Sequence, residues 1–331
     1  MHADSNSNGT TADRRITVAM CTFNGGRHLQ EQLESIASQT CQPCELIVCD
    51  DGSTDETIGI LRRFQTKAAF PVSIVQNAER MGSTRNFDQA IGMARGEFIA
   101  LCDQDDRWLP QKLERLAGCL LENPFLGGVF SDAELIDGDG RRVGMSLFAK
   151  HKFTPAKQRS FVSCPTSTLL KYDVVTGATL MFRSSIRPYC SPIPATWVHD
   201  GWLSWMLALH SRVTLISEPL VEYRIHAGQQ LGVGTSNAGQ GGRETRRQFY
   251  ARVARQFEDL LARVLAEGWN EHDALVERLR EKITFLKRQA SLSQRFGART
   301  MQMLGLLPKY LHYARGLGSL RTDLLLGREM L

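Results

Sequence analysis

From Ile16 onward, short apolar runs alternate with segments whose apolar residues recur every three or four positions. Ile16 to Phe23, Glu45-Leu46-Ile47-Val48-Cys49, Val72-Ser73-Ile74-Val75 and Glu97-Phe98-Ile99-Ala100-Leu101-Cys102 read as buried strands, because they are short, dense in apolar and β-branched residues and bounded by polar turns. Between them, Leu29, Leu33, Ile36 and Ala37 share one helical face. Ile58, Leu61 and Phe64 line a second helix capped by Asp55, and Phe87, Ala90, Ile91 and Ala94 line a third that Ser83 opens. Strand–helix alternation of this kind predicts an α/β fold, with a mostly parallel sheet flanked by helices on both faces. In such sheets ligands bind outside the carboxyl ends of the strands.

Beyond Leu113 the pattern is less regular. It predicts a strand near Gly128–Ser131, a hairpin turn at Asp137-Gly138-Asp139-Gly140 and an apolar segment from Val174 to Phe182. A helix from Asp200 to His210 follows, then a short strand at Val213–Ile216 that a loop ends at Glu218-Pro219. Residues 1–14 are small and polar and are expected to be disordered. Residues 15–231 then form one α/β domain, the Gly/Ser/Asn/Gln-rich stretch 232–242 a linker, and 243–331 a helical, basic C-terminal extension.

With 331 residues, 42% of them hydrophobic and 23% charged, the composition is that of a globular protein with a sizeable core. No run approaches 18 apolar residues, which predicts a cytoplasmic protein without a spanning helix. The eight cysteines are scattered, and Cys41/Cys44 form a lone CxxC without the second pair a zinc site needs. The net charge of +5 is unevenly spread: Lys282–Leu331 carries nine Lys/Arg against Asp323 and Glu329. Overall basicity therefore describes the tail, and nucleic acid is not among the expected partners.

Three polar clusters fall at the carboxyl ends of predicted strands: Thr22-Phe23-Asn24, Asp50-Asp51, and Asp103-Gln104-Asp105-Asp106. Three carboxylates within four residues repel one another unless a cation holds them. A hard divalent ion such as Mg²⁺ suits them, since it takes one or two carboxylates plus substrate phosphates; the competing reading is a solvated acidic turn. Asp50 and Asp51 suit hydrogen bonds from ribose hydroxyls or a pyrimidine N–H. Neither a Gly-x-Gly-x-x-Gly after the first strand nor a P-loop is present, which argues against dinucleotide oxidoreductases and P-loop NTPases.

Taken in order, Thr22-Phe23-Asn24, Asp50-Asp51-Gly52-Ser53-x-Asp55, Gly82-x-x-x-Asn86 and Asp103-x-Asp105-Asp106-x-Trp108-x-Pro110-x-Lys112 resemble the signature of family 2 inverting glycosyltransferases of the GT-A (Rossmann-like) fold. The likeness spans residues 16 to about 230 and is closest to the bacterial rhamnosyltransferase-like branch that builds surface polysaccharide such as O-antigen. It implies a nucleoside-diphosphate sugar donor, dTDP-linked by preference and UDP-linked next, and a glycan or lipid-linked acceptor. The implied nucleotide residues are Thr22, Phe23, Asn24, Glu31, Asp50, Asp51, Gly82, Asn86 and Asp103. Asp103, Asp105 and His226 would hold the Mg²⁺ or Mn²⁺ of this DXD-type motif, with a plain loop histidine as the other reading of His226, and Arg224, in Tyr223-Arg224-Ile225-His226, would sit by the diphosphate.

The family's general base, usually in a Glu-Asp pair opening a helix, maps to Asp200; His199 stands where the glutamate usually is. A helix N-terminus favours negative charge, the state a base needs, although an ordinary capping aspartate reads the same way. Thr176, Gly177, His199 and Trp202 fall where the resemblance puts the sugar and acceptor, with core packing as the other reading of the tryptophan. Two further function classes fit parts of the pattern: a sugar-phosphate nucleotidyltransferase, and a non-catalytic nucleotide-sugar-binding protein. In the tail, Phe285, Leu304, Leu306, Leu307, Tyr310, Leu311 and Tyr313 with Lys309, His312 and Arg315 suggest a basic amphipathic surface for the inner face of an anionic membrane, a helical cap on the catalytic domain or a dimer contact.

Overall fold

The computed structural model describes residues 15–226, 244–270, 272–293, 296–314, 319–320 and 323–324. The predicted disordered segment 1–14 and the linker 232–242 lie outside them. In chain order the elements are β1 (Ile16–Thr22), α1 (Leu29–Ala37), β2 (Glu45–Asp50), α2 (Thr57–Gln65), β3 (Val72–Gln76), α3 (Ser83–Met93), β4 (Phe98–Cys102), β5 (Arg107–Trp108), α4 (Lys112–Glu122), β6 (Leu126–Ile136) and β7 (Arg142–Ser146). Helices α5 (Leu147–Lys150), α6 (Pro155–Ser163) and α7 (Pro165–Leu169) follow, then a 3₁₀ turn at Gly177–Thr179, β8 (Leu180–Arg183), α8 (Arg187–Cys190), α9 (His199–His210) and β9 (Arg212–Arg224). The C-terminal helices are α10 (Arg246–Ala266), α11 (Ala274–Ala290), α12 (Phe296–Leu304) and α13 (Leu307–Tyr313).

Two compact units result. The first comprises Met1–Lys152, Val175–Ile193 and Met206–Arg224; the second comprises Phe153–Val174, Pro194–Trp205 and Ile225–Leu331. In the first, the strands order as β3-β2-β1-β4-β8-β6-β9-β5, with β7 paired to β6. The β3-β2-β1-β4 half is parallel, as the strand–helix alternation predicts. The other half is mixed: β8 runs antiparallel to both β4 and β6, β9 is parallel to β6, and β5 is antiparallel to β9. Both faces are covered, so Val18, Met20, Leu46, Val48, Phe98 and Leu101 are all fully buried.

Three local expectations are corrected. The strand predicted to end at Ile216 instead runs on through Pro219 to Arg224. Asp132 pairs with Pro219 where the register with β6 shifts, so the proline occupies an irregularity in the ladder, the position a sheet tolerates. On α1, Gln32 rather than Ala37 completes the buried face, its Nε2 donating to Cys102 Sγ at 3.1 Å. On α2 the inner face is Thr57, Ile60, Leu61 and Phe64, one residue away from the predicted Ile58.

The second unit is helical. Trp197 meets Trp202 and Phe257 at ring distances of 5.8 and 6.0 Å, and Trp205 meets Phe257 at 5.9 Å. Trp197 Nε1 donates to Gln256 O at 2.9 Å, and the Thr196 hydroxyl donates to Asp259. The buried Asp323 carboxylate accepts from the Tyr250 and Tyr310 hydroxyls at 2.7 and 2.8 Å and from Gln289 Nε2 at 3.0 Å, and it pairs with Arg246. A buried carboxylate is tolerable only with such donors around it.

Gly96 tests the close approach that starts β4. Its N–H donates to Thr17 Oγ1 at 2.8 Å, and a Cβ there would lie 2.6 Å from Arg15 O and from Thr17 N. Gly96→Ala should lower stability by about 1–3 kcal/mol, the usual cost of overpacking, in a urea titration. An unchanged midpoint would contradict this packing.

Candidate functional site

Strand β1 lies between β2 and β4, with Thr22 opposite Asp50 and Met20 opposite Cys102. The three polar clusters therefore leave neighbouring strands at one edge of the sheet. Asp50 is fully buried: Oδ2 accepts from Thr22 Oγ1 at 2.7 Å and Ser53 Oγ at 2.5 Å, and Oδ1 accepts from the Ser53 N–H at 2.8 Å. Asp51 accepts the N–H groups of Met81 and Gly82 at 2.6 and 2.9 Å, with Arg80 Nε 3.8 Å away. Gly82 has φ +84°, a left-handed conformation that favours glycine, and it leads directly into α3. From that helix Asn86 donates to Cys49 O at 2.7 Å and accepts from Asn77 Nδ2 at 2.9 Å. Asp50, Asp51, Gly82 and Asn86 thus come together as the hydrogen-bonded frame of the strand ends.

Phe23 and Asn24 lie on that frame. The Arg80 guanidinium sits 3.8 Å from the Phe23 ring centroid, a cation–π contact. Asn24, at φ +48°, donates its N–H to Ser53 Oγ and accepts from the Thr54 N–H through Oδ1. Gln104, between the two half-buried carboxylates Asp103 and Asp105, hooks the acidic turn onto β1. Its Oε1 accepts from the Phe23 N–H at 2.8 Å and its Nε2 donates to Phe23 O at 3.1 Å. A Cβ on Gly25 would overlap this side chain, so the glycine is what admits it.

Behind the turn the charges are deeply buried. Asp106 is fully buried; Oδ1 accepts the Arg224 N–H at 2.9 Å, while Oδ2 has no hydrogen-bond partner. Burial, reinforced by the negative charges of Asp105 and Asp103, pushes its carboxyl well above the usual range. Lys112, also fully buried, donates to Ala178 O at 2.6 Å and lies 3.3 Å from the Trp108 ring centroid. Burial lowers its ammonium to about 7, against the pull of Cys102, Asp106 and Asp103.

Arg224 is 1% exposed and ties several loops together. It donates through Nη2 to Glu31 at 2.7 Å, through Nε to Asp105 O at 2.7 Å, and through Nη1 to Asp137 O and Gly138 O at 3.4 Å. Glu31 also lies 3.8 Å from Arg107, which pairs with Glu222 at 2.6 Å. Thr176 caps the 3₁₀ turn that begins at Gly177, its carbonyl accepting from the Thr179 N–H and hydroxyl at 2.9 and 2.8 Å.

The remaining candidates belong to the second unit. His199 and Asp200 open α9; His199 is buried, which lowers its pKa against the opposing charge of Asp200. Asp200 is half-buried, and its Oδ1 accepts the Gly201 N–H at 2.7 Å. Trp202 is buried against Trp197, and His226 is half-buried, two residues beyond β9. Arg80, Gln104, Arg107 and Lys112 escaped assignment at the level of sequence. Gln104 and Lys112 stood inside a recognised motif without a role; no pattern singled out Arg80 or Arg107.

Among the described residues, no three His, Cys, Asp or Glu side chains gather as a closed metal cage. Asp103 and Asp105 nevertheless fit a hard cation that completes its shell with phosphate oxygens and water, the usual habit of Mg²⁺.

An α/β sheet of this topology, with nucleotide-type polar clusters at three adjacent strand ends and helices after it, is GT-A-like. Residues 17–181 match the model of glycosyl transferase family 2, and the chain carries a glycosyltransferase family 2 domain. It is 25% identical over 255 residues to an uncharacterized glycosyltransferase, alr2836, from Nostoc, covering 76% of each chain. Among solved structures, residues 1–349 of Staphylococcus aureus TarS in complex with UDP-GlcNAc superpose with a TM-score of 0.59 at 18% identity, over 94% of this chain and 81% of that one. The chain spans 43% of a longer TarS structure. A Pyrobaculum calidifontis mannosyltransferase in complex with GDP-Man and Mn²⁺ superposes with a TM-score of 0.51 at 18% identity, over 96% and 87% of the two chains.

Lys112 makes a pH prediction. Its ammonium is depressed from 10.5 to about 7 in the folded chain, so between those values the unfolded chain binds the extra proton. Stability contributed through this group therefore rises as pH climbs from about 7 toward 10. In urea titrations across that range, Lys112→Met should show a smaller rise than wild type. Parallel profiles would contradict the depressed value.

Proposed function

We propose that this chain is a metal-dependent inverting glycosyltransferase, moving a sugar from a nucleoside diphosphate to an acceptor hydroxyl. The observation that carries the reading is the juxtaposition of Thr22-Phe23-Asn24, Asp50-Asp51 and Asp103-Gln104-Asp105 on the adjacent strands β1, β2 and β4. Aromatic Phe23 offers a face to a base, and the frame built by Asp50, Asp51, Gly82 and Asn86 holds the loop around it. The complexes of TarS with UDP-GlcNAc and of the mannosyltransferase with GDP-Man and Mn²⁺ support a nucleotide-sugar donor for a chain of the same fold.

Asp103 and Asp105 would hold the divalent ion. When bound, it would supply positive charge to the diphosphate and ease its departure. In this reading Asp200 takes the proton of the acceptor hydroxyl. The freed oxygen attacks the anomeric carbon from the side opposite the diphosphate. The bond from that carbon to the diphosphate oxygen breaks, its electron pair leaves with the nucleoside diphosphate, and the configuration inverts. Arg224 acts from behind, fixing the Asp105 carbonyl and Glu31. The rhamnosyltransferase-like order of motifs favours a dTDP-sugar, then a UDP-sugar, with a glycan or lipid-linked acceptor in surface polysaccharide synthesis.

Two measurements test this. Asp200→Asn should lower kcat by about 10²–10⁴-fold while leaving donor affinity unchanged, the signature of a lost general base; an undiminished kcat would remove Asp200 from the chemistry. Across a panel of dTDP-, UDP- and GDP-sugars with Mn²⁺, the nucleotide product should be the free nucleoside diphosphate. Pyrophosphate release would assign the chain to nucleotidyl transfer.

A further inference from the structure

The strand order arranges the loops of the first unit in a row. Strand β8 runs antiparallel to β4 with Met181 opposite Ala100, and it begins at Leu180, so the Gly177–Thr179 turn enters the sheet where β4 leaves it. Asp50-Asp51, Phe23, the Asp103–Asp105 turn and the 3₁₀ turn therefore follow one another on β2, β1, β4 and β8. A nucleoside-diphosphate sugar is built in the same order: base and ribose, diphosphate, sugar. With the base at Phe23 and the diphosphate at Asp103–Asp105, the sugar falls at the 3₁₀ turn. Gly177, Ala178 and Thr179 are buried there, and Thr176, which caps the turn, is half-buried and reaches the surface.

A single buried cation holds that turn. Lys112 is fully buried, its Nζ donates to Ala178 O at 2.6 Å, and the Trp108 ring centroid lies 3.3 Å away. Its charge also meets that of Asp106. Lysine is almost never fully buried, because a charge taken from water costs free energy unless it is paired. A methionine would fill much the same space without that cost, so what the lysine adds is its hold on the Ala178 carbonyl. The platform from which it reaches is fastened to α1 and the residues after it. The Leu113 N–H donates to Gln39 Oε1 at 3.0 Å, Gln39 Nε2 donates to Leu109 O at 2.9 Å, and the Trp108 N–H donates to Ser35 Oγ at 3.0 Å.

We propose, on the nucleotide-sugar reading of this sheet edge, that Lys112 is a positioning residue for the donor sugar: by fixing Ala178 O it sets the 3₁₀ turn against the Asp103–Asp105 turn, and so where the sugar sits once the diphosphate is held. Thr179 closes the same turn from within, its hydroxyl and N–H both donating to Thr176 O at 2.8 and 2.9 Å. The nucleotide side has other anchors. Asp50 is held by Thr22 and Ser53, and the acidic turn by Gln104 on Phe23 and by Arg224 on Asp105 O. Loss of the Lys112 ammonium therefore loosens the grip on the sugar and spares the nucleoside diphosphate.

Titration calorimetry of the full chain in Mn²⁺ tests this, with dTDP and UDP free and as their rhamnose, glucose and N-acetylglucosamine derivatives. Lys112→Met should bind the free diphosphates within about twofold of wild type, and the sugar nucleotide that wild type prefers about tenfold more weakly. Thr179→Val loosens the same turn without touching a buried charge and should show the same split, which keeps the test open if thermal unfolding shows Lys112→Met to be unfolded. Equal losses for free diphosphate and sugar nucleotide in the folded variants, the mark of a merely structural role, would overturn the proposal. So would no loss at all, and both results leave the nucleotide-sugar reading standing. A wild type that binds none of these ligands would overturn that reading and this proposal with it.

Discussion

Everything at this sheet edge depends on how negative charge is held where β4 ends. Three carboxylates follow one buried strand, and the protein treats them differently. Asp106 is withdrawn into the interior, held by the Arg224 N–H with Lys112 nearby, and burial raises its pKa. Asp103 and Asp105 stay half-buried, outside that enclosure. The separation leaves Asp103 and Asp105, rather than all three carboxylates, half-buried at the turn. Gln104 between them turns its amide to the Phe23 backbone, so the acidic turn and the aromatic loop are fixed as one piece.

The rest of the sheet edge is built to support that piece. The oxygens of Asp50 and Asp51 accept from Thr22, Ser53, Met81 and Gly82, which makes them builders of the frame at the strand ends. Arg224, distant in sequence, gathers Glu31, Asp105 and the β6–β7 turn around a single guanidinium. Lys112 links α4 to the 3₁₀ turn through Ala178 O. These contacts are pre-organised hydrogen bonds in a buried setting, where they are strong when satisfied and costly when broken.

Much of this was legible in the sequence. The β3-β2-β1-β4 half announces itself because each strand is a short apolar run and each helix a periodic one. The far half does not: Glu218-Pro219 reads as a loop, yet pairing along β6 carries β9 across it. Helix faces slipped by small amounts at Ala37 and Ile58, because a buried Gln32 or Thr57 is invisible to a pattern of apolar residues alone. The same blindness applied to the site. Motif order located Asp50, Asp103 and Asp105, but whether a carboxylate faces a ligand or a backbone N–H is decided by tertiary contacts. In the tail, composition could not separate Leu306 and Tyr310, which are core, from Leu304 and Leu307, which are not.

The role proposed for the Asp103–Asp105 turn is to bind a nucleoside diphosphate at the ends of β1, β2 and β4. Titration calorimetry of dTDP and UDP, with and without Mn²⁺, addresses it directly. Wild type should bind at least one of the two more tightly when Mn²⁺ is present, and Asp103→Ala should lose that gain. Nucleotide affinity that is indifferent both to the ion and to Asp103 would contradict the account.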